Sequence, residues 1–351
     1  MQDNSTALTL EKILINKAEE FTDLPKRNEA PSMNNGLLPL VICNPKSAGG
    51  STKGSWAGIA SDLRAHFGAY NVAFTKWAGD GVTLAKRASE SGRSFIIACG
   101  GDGTINEVAN GILQSGIDVE LGIMPSGTGG DFRRTLRIPQ SPREAARLLR
   151  DGITKRMDVC RVTFQSHGDE TTSRYFLNVS SFGLAASIIE RVKSTKALDW
   201  LPLGGVRGRA SFALSTLQEV AGLDFVTVKV KIDGGEEKLL NTINFCVANA
   251  RYFGGGMKIA PDARISDGYL DIINIGDIRT AKVLLNAYTL YSGTHLGLKE
   301  VKSTLAKRIE VSPRTIGDEI HLETDGELPG KLPALYEIIP AALRIRVPHA
   351  K

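Results

Sequence analysis

Between residues 37 and 124, strand-sized apolar runs alternate with amphipathic stretches. The runs at 37–43, 70–75, 95–99 and 121–124 predict strands, and the stretches at 56–67, 81–89 and 106–114 predict helices. Within the last of these stretches, Val108, Ala109, Ile112 and Leu113 recur at helical spacing. Strands alternating with helices of this length imply parallel βαβ units joined by right-handed crossovers. From about residue 157 the rhythm changes to short β-rich runs at 157–164, 175–179, 226–232, 244–248, 269–275, 308–311 and 343–347. Helical stretches at 185–193 and 206–221 interrupt them. Turn signals such as Asp233-Gly234-Gly235 point to antiparallel strands, so the chain reads as a doubly wound α/β domain over 37–155 and a β-sandwich over 156–351. Residues 1–36 form a polar extension, with a short helix predicted over 8–21 and a linker-like end at Pro31-Ser-Met-Asn-Asn-Gly36.

Length supports two cores, because 351 residues exceed what one ordinary hydrophobic core holds. The formal net charge of +5 is too small for a committed nucleic-acid binder, and no basic patch is interleaved with aromatics. No apolar run approaches the roughly 18 residues of a spanning helix, and the start lacks the pattern of a secretory signal. A cytoplasmic protein is therefore expected. Cys43, Cys99, Cys160 and Cys246 lie far apart in apolar contexts and read as reduced core thiols. The five histidines are equally dispersed, with no pair at metal-ligand spacing, which argues against a zinc site. Two basic clusters, Arg133/Arg134/Arg137 and Arg207/Arg209 with Arg191, Lys193 and Lys196, are either solvated faces or contacts for anionic lipid or phosphate.

The chemistry concentrates in glycine-bearing loops. The apolar run 95–99 empties into Gly100-Gly101-Asp102-Gly103-Thr104 and continues as a helix through Asn106 and Glu107. Glycines let backbone approach an anion, and the helix N-terminus behind them supplies unpaired N–H donors and a positive dipole end. Asp102 sits awkwardly beside phosphates unless a metal ion or a reacting hydroxyl intervenes, which favours phosphoryl transfer over passive binding. Asn44-Pro45-Lys46-Ser47-Ala48-Gly49-Gly50 follows the first strand and can line the same crevice. Pro125-Ser-Gly127-Thr128-Gly-Gly130-Asp131-Phe132 follows the fourth, with Asp131 either orienting cations or a metal-bound water, or capping a helix. No GxxxxGK[ST] or strand-borne GxGxxG is present, which argues against P-loop NTPases and dinucleotide dehydrogenases.

These motifs, together with Asp267-Gly-Tyr269-Leu-Asp271 and Asp325-Gly326-Glu327, resemble the catalytic domain of the diacylglycerol kinase family, which includes sphingosine and ceramide kinases. The resemblance covers about residues 38–348. It implies an N-terminal domain similar to NAD kinases and phosphofructokinases, followed by a lipid-holding β-sandwich; the two-domain split by itself puts the expected site in the cleft between them. It implies ATP and magnesium as cofactors. The nucleotide would be held by Asn44, Pro45, Lys46, Ser47, Gly49, Thr75, Gly100, Gly101, Asp102, Gly103, Thr104, Asn106, Glu107, Thr128 and Asp131. Asp102, helped by Asp131, would support the phosphate-bound magnesium through water. A separate structural magnesium would sit on the Asp267 carboxylate and the carbonyls of Arg264 and Tyr269. Asp325 or Glu327 would be the general base, so Asp102, Asp325 and Glu327 form the implied catalytic set.

The expected activity is ATP-dependent phosphorylation of a lipid hydroxyl, with diacylglycerol first and a sphingoid base second. The enzyme would visit an anionic membrane surface peripherally, and a homodimer is allowed for. Apolar residues lining the lipid groove are expected within 182–223. An NAD kinase-like enzyme acting on a soluble substrate and a catalytically silent lipid-binding protein are the alternatives. The third loop departs from the family pattern, since Gly130 stands where many members carry Asn.

Overall fold

The computed structural model describes residues 37–194 and 225–349, apart from Thr128, Asp277, Arg279 and Ile316. The expected helices over 8–21 and 206–221 lie outside these residues. The described chain forms two compact units. One comprises residues up to Val159 with Gly254–Gly256 and the stretch from Pro340 onward, and the other comprises Cys160–Phe253 and Met257–Ile339.

In the first unit, β1 (Leu40–Cys43), β2 (Asn71–Phe74), β3 (Phe95–Gly100) and β4 (Glu120–Pro125) pair in parallel in the spatial order β2-β1-β3-β4. They alternate with α1 (Ser51–His66), α2 (Asp80–Glu90) and α3 (Asp102–Ser115), as the apolar periodicity predicts. Two short helices follow β4: α4 (Asp131–Thr135) and α5 (Pro142–Asp151). On one face of the sheet Val41, Cys43, Phe95, Ile97, Cys99 and Met124 pack with Ile59 and Leu63 of α1 and Ala145 and Leu149 of α5. The alternate residues Ile42, Ile96, Ala98 and Ile123 point to the other face and are fully buried. There α2 and α3 approach closely at Gly111, where a Cβ would lie 2.3 Å from the Val82 carbonyl oxygen. The four cysteines are buried and free, as their apolar contexts indicate.

In the second unit every orientation recorded between neighbouring strands is antiparallel. One layer contains β7 (Val179–Gly183), β10 (Asn244–Ala248), β11 (Leu270–Ile275), β12 (Val301–Ala306) and β14 (His321–Thr324). The other contains β5 (Ile153–Ser166), β6 (Thr171–Phe176), β8 (Val226–Ile232), β9 (Lys238–Thr242) and β13 (Arg308–Pro313). The long β15 (Glu327–Val347) pairs with β14, β13 and β5. Phe164, Phe176, Phe182, Phe245, Val228, Ile272, Ile309, Leu322 and Tyr336 fill the core between the layers, and the Phe182 and Phe245 rings stack with centroids 5.0 Å apart. Helices α6 (Leu184–Ser194) and α7 (Thr280–Ser292) complete this unit.

Two expectations change. The apolar run 175–179, read as one strand, is the end of β6 and the start of β7, because the Leu177 and Asn178 amides turn toward a carboxylate instead of a neighbouring strand. The run 343–347, read as part of the sandwich, closes the parallel sheet, with Arg344 and Ile345 aligned beside Glu120 and Leu121. An ion pair fixes that return. Glu120 is fully buried, and its carboxylate accepts from Arg346 Nε (2.6 Å), Arg346 Nη2 (2.9 Å) and Thr154 Oγ1 (2.7 Å). Removing one partner of such a pair strands the other charge, so Glu120→Ala is expected to cost about 3–5 kcal/mol of stability. The shift of the urea unfolding midpoint measures it.

Candidate active site

The closing stretch of β15 makes the parallel sheet five-stranded, in the order β2-β1-β3-β4-β15, so the topology reverses between β1 and β3. In open α/β sheets ligands bind outside the carboxyl ends of the strands at this switch point. The three glycine-bearing loops all leave carboxyl ends there. The first, Asn44 to Gly50, passes through a 3-10 turn over Ser47–Gly50. The second turns at Gly100 and Gly101 into α3, and the third runs from Ser126 to Gly130.

Side chains stitch the loops together. Asn44 Nδ2 donates to Thr104 Oγ1 at 3.2 Å, Ser47 Oγ lies 3.4 Å from the same oxygen, and Asn44 Oδ1 accepts from Lys46 N at 2.9 Å. Thr52, at the start of α1, donates to the Ser126 carbonyl at 2.9 Å. Gly100 is required sterically, since a Cβ there would lie 2.4 Å from Thr104 Oγ1. Gly127 is more constrained still, its Cβ falling 2.5 Å from Gly101 Cα, where only backbone stands and nothing can swing aside. Gly127→Ala is therefore expected to lower stability by about 1–3 kcal/mol through overpacking, read as a lower denaturation midpoint. Gly103 and Gly49 face open space, Gly49 with φ +66°, while Pro45 lies half-buried within the first loop and Thr75, buried after β2, donates its N–H to the Cys43 carbonyl at 2.9 Å. Thr128 lies outside the described residues.

The carboxylates of this region are more engaged than their motif positions indicate. Asp102 caps α4: Oδ2 accepts from Asp131 N and Oδ1 from Phe132 N, both at 3.1 Å. Asp131 is accordingly not the cap of its own helix; Gly130, with φ 68°, occupies that position. Asp131 instead pairs with Arg134 Nη1 at 2.6 Å and accepts from Gly255 N at 2.7 Å. Burial pushes its pKa up, the Gly255 amide opposes this, and the neighbouring Asp102 charge pushes the same way as burial. Arg133 donates to the Ile138 carbonyl, so two arginines of that cluster turn toward the protein rather than outward. Glu107 caps α2, accepting from Gly79 N at 2.8 Å and Gly81 N at 3.0 Å, and buried Asn106 accepts from Asn110 Nδ2 at 3.1 Å.

The sandwich unit holds the remaining implied residues. Asp325 and Gly326 form a two-residue hairpin between Thr324 and Glu327, both with positive φ (48° and 87°), the geometry that Asp-Gly favours. The Asp325 carboxylate turns inward and accepts three backbone N–H groups, from Leu177 at 2.9 Å, Asn178 at 3.0 Å and Val179 at 3.1 Å. Burial raises its pKa, with the three amides and Arg174 pulling the other way. Glu327 is exposed and ion-paired to Arg174 at 3.0 Å. Two residues before Asp325, Glu323 is buried and belongs to none of the motifs. It lies on β14, two residues before the turn that carries Asp325, and that proximity to the Asp-Gly motif was the available signal.

In the Arg264 to Tyr269 segment, Asp267 Oδ1 accepts from Tyr269 N at 3.1 Å. Nearby Asp271 is buried, and its pKa is pushed up to about 6 by burial, then by the charges of Asp267 and Asp262. Among the described residues no three His, Cys, Asp or Glu side chains converge on a metal position, so a cation here would need backbone oxygens as well.

Residues 39–162 match the diacylglycerol kinase catalytic domain, and residues 179–347 match the YegS C-terminal NAD kinase β-sandwich-like domain. The chain is 30% identical over 273 residues to a diacylglycerol kinase of Mycobacterium tuberculosis, covering 78% of this chain and 82% of the relative. It is 29% identical over 282 residues to a diacylglycerol kinase of Bacillus subtilis (strain 168), covering 79% and 85%. A Bacillus anthracis str. Sterne crystal structure assigned to the diacylglycerol kinases superposes with a TM-score of 0.68 at 27% identity, over 88% of this chain and 95% of that one. Fold, loops and matches together define a lipid kinase built on an NAD kinase-like fold. The chain belongs to the diacylglycerol kinase family.

Proposed function

We propose that the protein transfers the γ-phosphoryl group of ATP to the hydroxyl of diacylglycerol, giving phosphatidic acid, with magnesium as the metal. The observation that carries this reading is the set of three loops stitched together at the β1/β3 switch point, in a chain whose relatives are named diacylglycerol kinases. Asn44 to Gly50, Thr75, Gly100 to Thr104 and the third loop hold the nucleotide phosphates through backbone N–H groups, with the α3 N-terminus behind them. The Asp102 and Asp131 carboxylates lie close enough for one charge to act on the other, and such anionic oxygens fit a hard divalent ion held through water. Magnesium, when bound, would offset charge on the phosphate oxygens. Asp267, with the carbonyls of Arg264 and Tyr269, would hold the structural ion.

Asp325 is the general base in this reading. Glu327 is solvated and neutralised by Arg174, whereas burial raises the basicity of Asp325. As the lipid oxygen bonds to phosphorus and the bond to the leaving diphosphate breaks, the hydroxyl proton passes to the Asp325 carboxylate. The lipid is met at an anionic bilayer surface.

The test is a radiolabelled-ATP screen over diacylglycerol, ceramide, sphingosine and phosphatidylglycerol in mixed micelles, with NAD as a soluble acceptor. Label is expected in phosphatidic acid. Label only in ceramide, sphingosine or NAD products overturns the substrate assignment, and label in none overturns the enzymatic reading.

A further inference from the structure

The hairpin that presents Asp325 contains a second inward-facing carboxyl group, that of Glu323. It is 3% exposed, and its two hydrogen-bond partners are both uncharged: Ser181 Oγ donates to Oε1 at 2.8 Å, and Gly326 N donates to Oε2 at 3.0 Å. The Gly326 amide belongs to the turn that aims Asp325, so the Glu323 carboxyl clasps that turn from inside. The strand is fixed beneath it as well, because Ser180 Oγ donates to the Glu323 carbonyl at 2.7 Å. Two carboxyl groups this close, with one of them buried, do not both ionise cheaply.

We propose that Glu323 is the positioning residue for Asp325: as a neutral acid, with its proton on Oε1 shared with Ser181 Oγ, it fastens the Asp325-Gly326 turn through the Gly326 amide on Oε2 and leaves the turn's negative charge on the half-buried Asp325. The inference rests on the reading of Asp325 as general base. The groups around Glu323 agree with this division of charge. Burial and the Asp325 charge work against a second negative charge, the Gly326 amide, the Ser181 hydroxyl and Arg174 favour it less, and Cys246 of β10 and Tyr336 of β15 are un-ionised groups whose own pKa values Glu323 helps raise. Burial foremost pushes the Glu323 pKa up to about 8, so the proton stays on at neutral pH. Above that pH a buried charge develops beside the base and works against the closed turn.

The test compares Glu323→Gln, which keeps the shape and the neutral state, with Glu323→Leu, which leaves the Gly326 amide without an acceptor. Turnover of diacylglycerol is followed from pH 6 to pH 9.5. The native enzyme is expected to lose kcat on the alkaline side with a midpoint near 8. Glu323→Gln should keep kcat at pH 7 within about 3-fold and lose that alkaline limb, and Glu323→Leu should lower kcat about 10-fold or more with KM for ATP unchanged. Stability gives a second readout. A glutamate with a raised folded-state pKa contributes stability that is present below the unfolded value of about 4.5 and is lost as pH rises through about 8. The native melting temperature should therefore fall across that window more than that of Glu323→Gln. Should the variants fail to fold, ¹³C NMR of the glutamate-labelled native protein reads the ionisation directly.

An alkaline limb unchanged in Glu323→Gln, an equal loss of kcat in Gln and Leu, or a Glu323 carboxyl ionised at pH 7 overturns the proposal. If these fail while Asp325→Asn is inactive, the positioning role falls and the base assignment stands. If Asp325→Asn remains active, the base assignment falls and the positioning role falls with it.

Discussion

Asp325→Asn is expected to reduce kcat by about 100-fold or more, the loss typical when a general base is removed. The substitution preserves volume, and Asn Oδ1 can still accept from some of the Leu177, Asn178 and Val179 amides that the carboxylate now satisfies. The Asn amide group, however, turns donors toward donors, so a stability loss of about 1–3 kcal/mol accompanies the kinetic one. The two effects separate by temperature: at 10 °C the variant should be folded by circular dichroism and still inactive. pH supplies a further check with a definite sign. The base works only when unprotonated, and burial holds the Asp325 pKa above its ordinary value. Native kcat/KM therefore falls as pH drops through that raised pKa, while the residual rate of Asp325→Asn does not follow this limb. Folding stability moves oppositely, because the folded state holds the proton more tightly than the unfolded chain, so this residue's contribution fades as pH rises through the folded value. Glu327→Gln removes only an exposed ion pair with Arg174, worth at most about 1 kcal/mol, and should leave kcat within about 3-fold. An inactive Glu327→Gln beside an active Asp325→Asn would exchange their roles.

The parallel sheet was legible because strand and helix periods differ and the switch between them is local. The glycine loops were legible for a related reason: the demand that Gly100 meets, room for Thr104 four residues on, is written within one turn. What escaped was long-range. The closing stretch of β15 looks like any sandwich strand until Arg346 finds Glu120 across 226 positions. The run 175–179 is continuous in sequence, yet it breaks because a carboxylate 147 residues away takes the Asn178 amide. Helix α5 escaped although Ser141, Pro142 and Glu144 carry a helix-start signature, with Glu144 N donating to Ser141 Oγ. At the site, motif position identified the carboxylates but not their partners. Asp102 and Glu107 both cap neighbouring helices, and the Gly255 amide on Asp131 comes from a glycine triplet that no motif includes.

That double engagement of Asp102 governs the other large effect. Asp102→Asn is expected to lower turnover by about 100-fold or more, as removal of a preorganised charge at a phosphoryl-transfer centre usually does. The native carboxylate performs two tasks at once: it fixes the third loop by accepting the Asp131 and Phe132 amides, and it places a negative charge beside Asp131. Asn at this position keeps one acceptor oxygen and loses the charge, whereas Ala loses both. If the charge matters most, the two variants should lose kcat alike, and each should need more magnesium to reach half-maximal rate. If the cap matters most, Ala should be far worse than Asn, its nucleotide affinity should fall, and saturating ATP should restore kcat. Relieved of the Asp102 charge, Asp131 should also titrate at lower pH, since that charge is one of the causes holding its pKa up. Carboxylate ¹³C shifts of Asp131 in the two variants read this independently of turnover. Asp102→Asn with native kcat at every magnesium concentration would remove this carboxylate from the phosphoryl-transfer machinery and leave it as a helix cap.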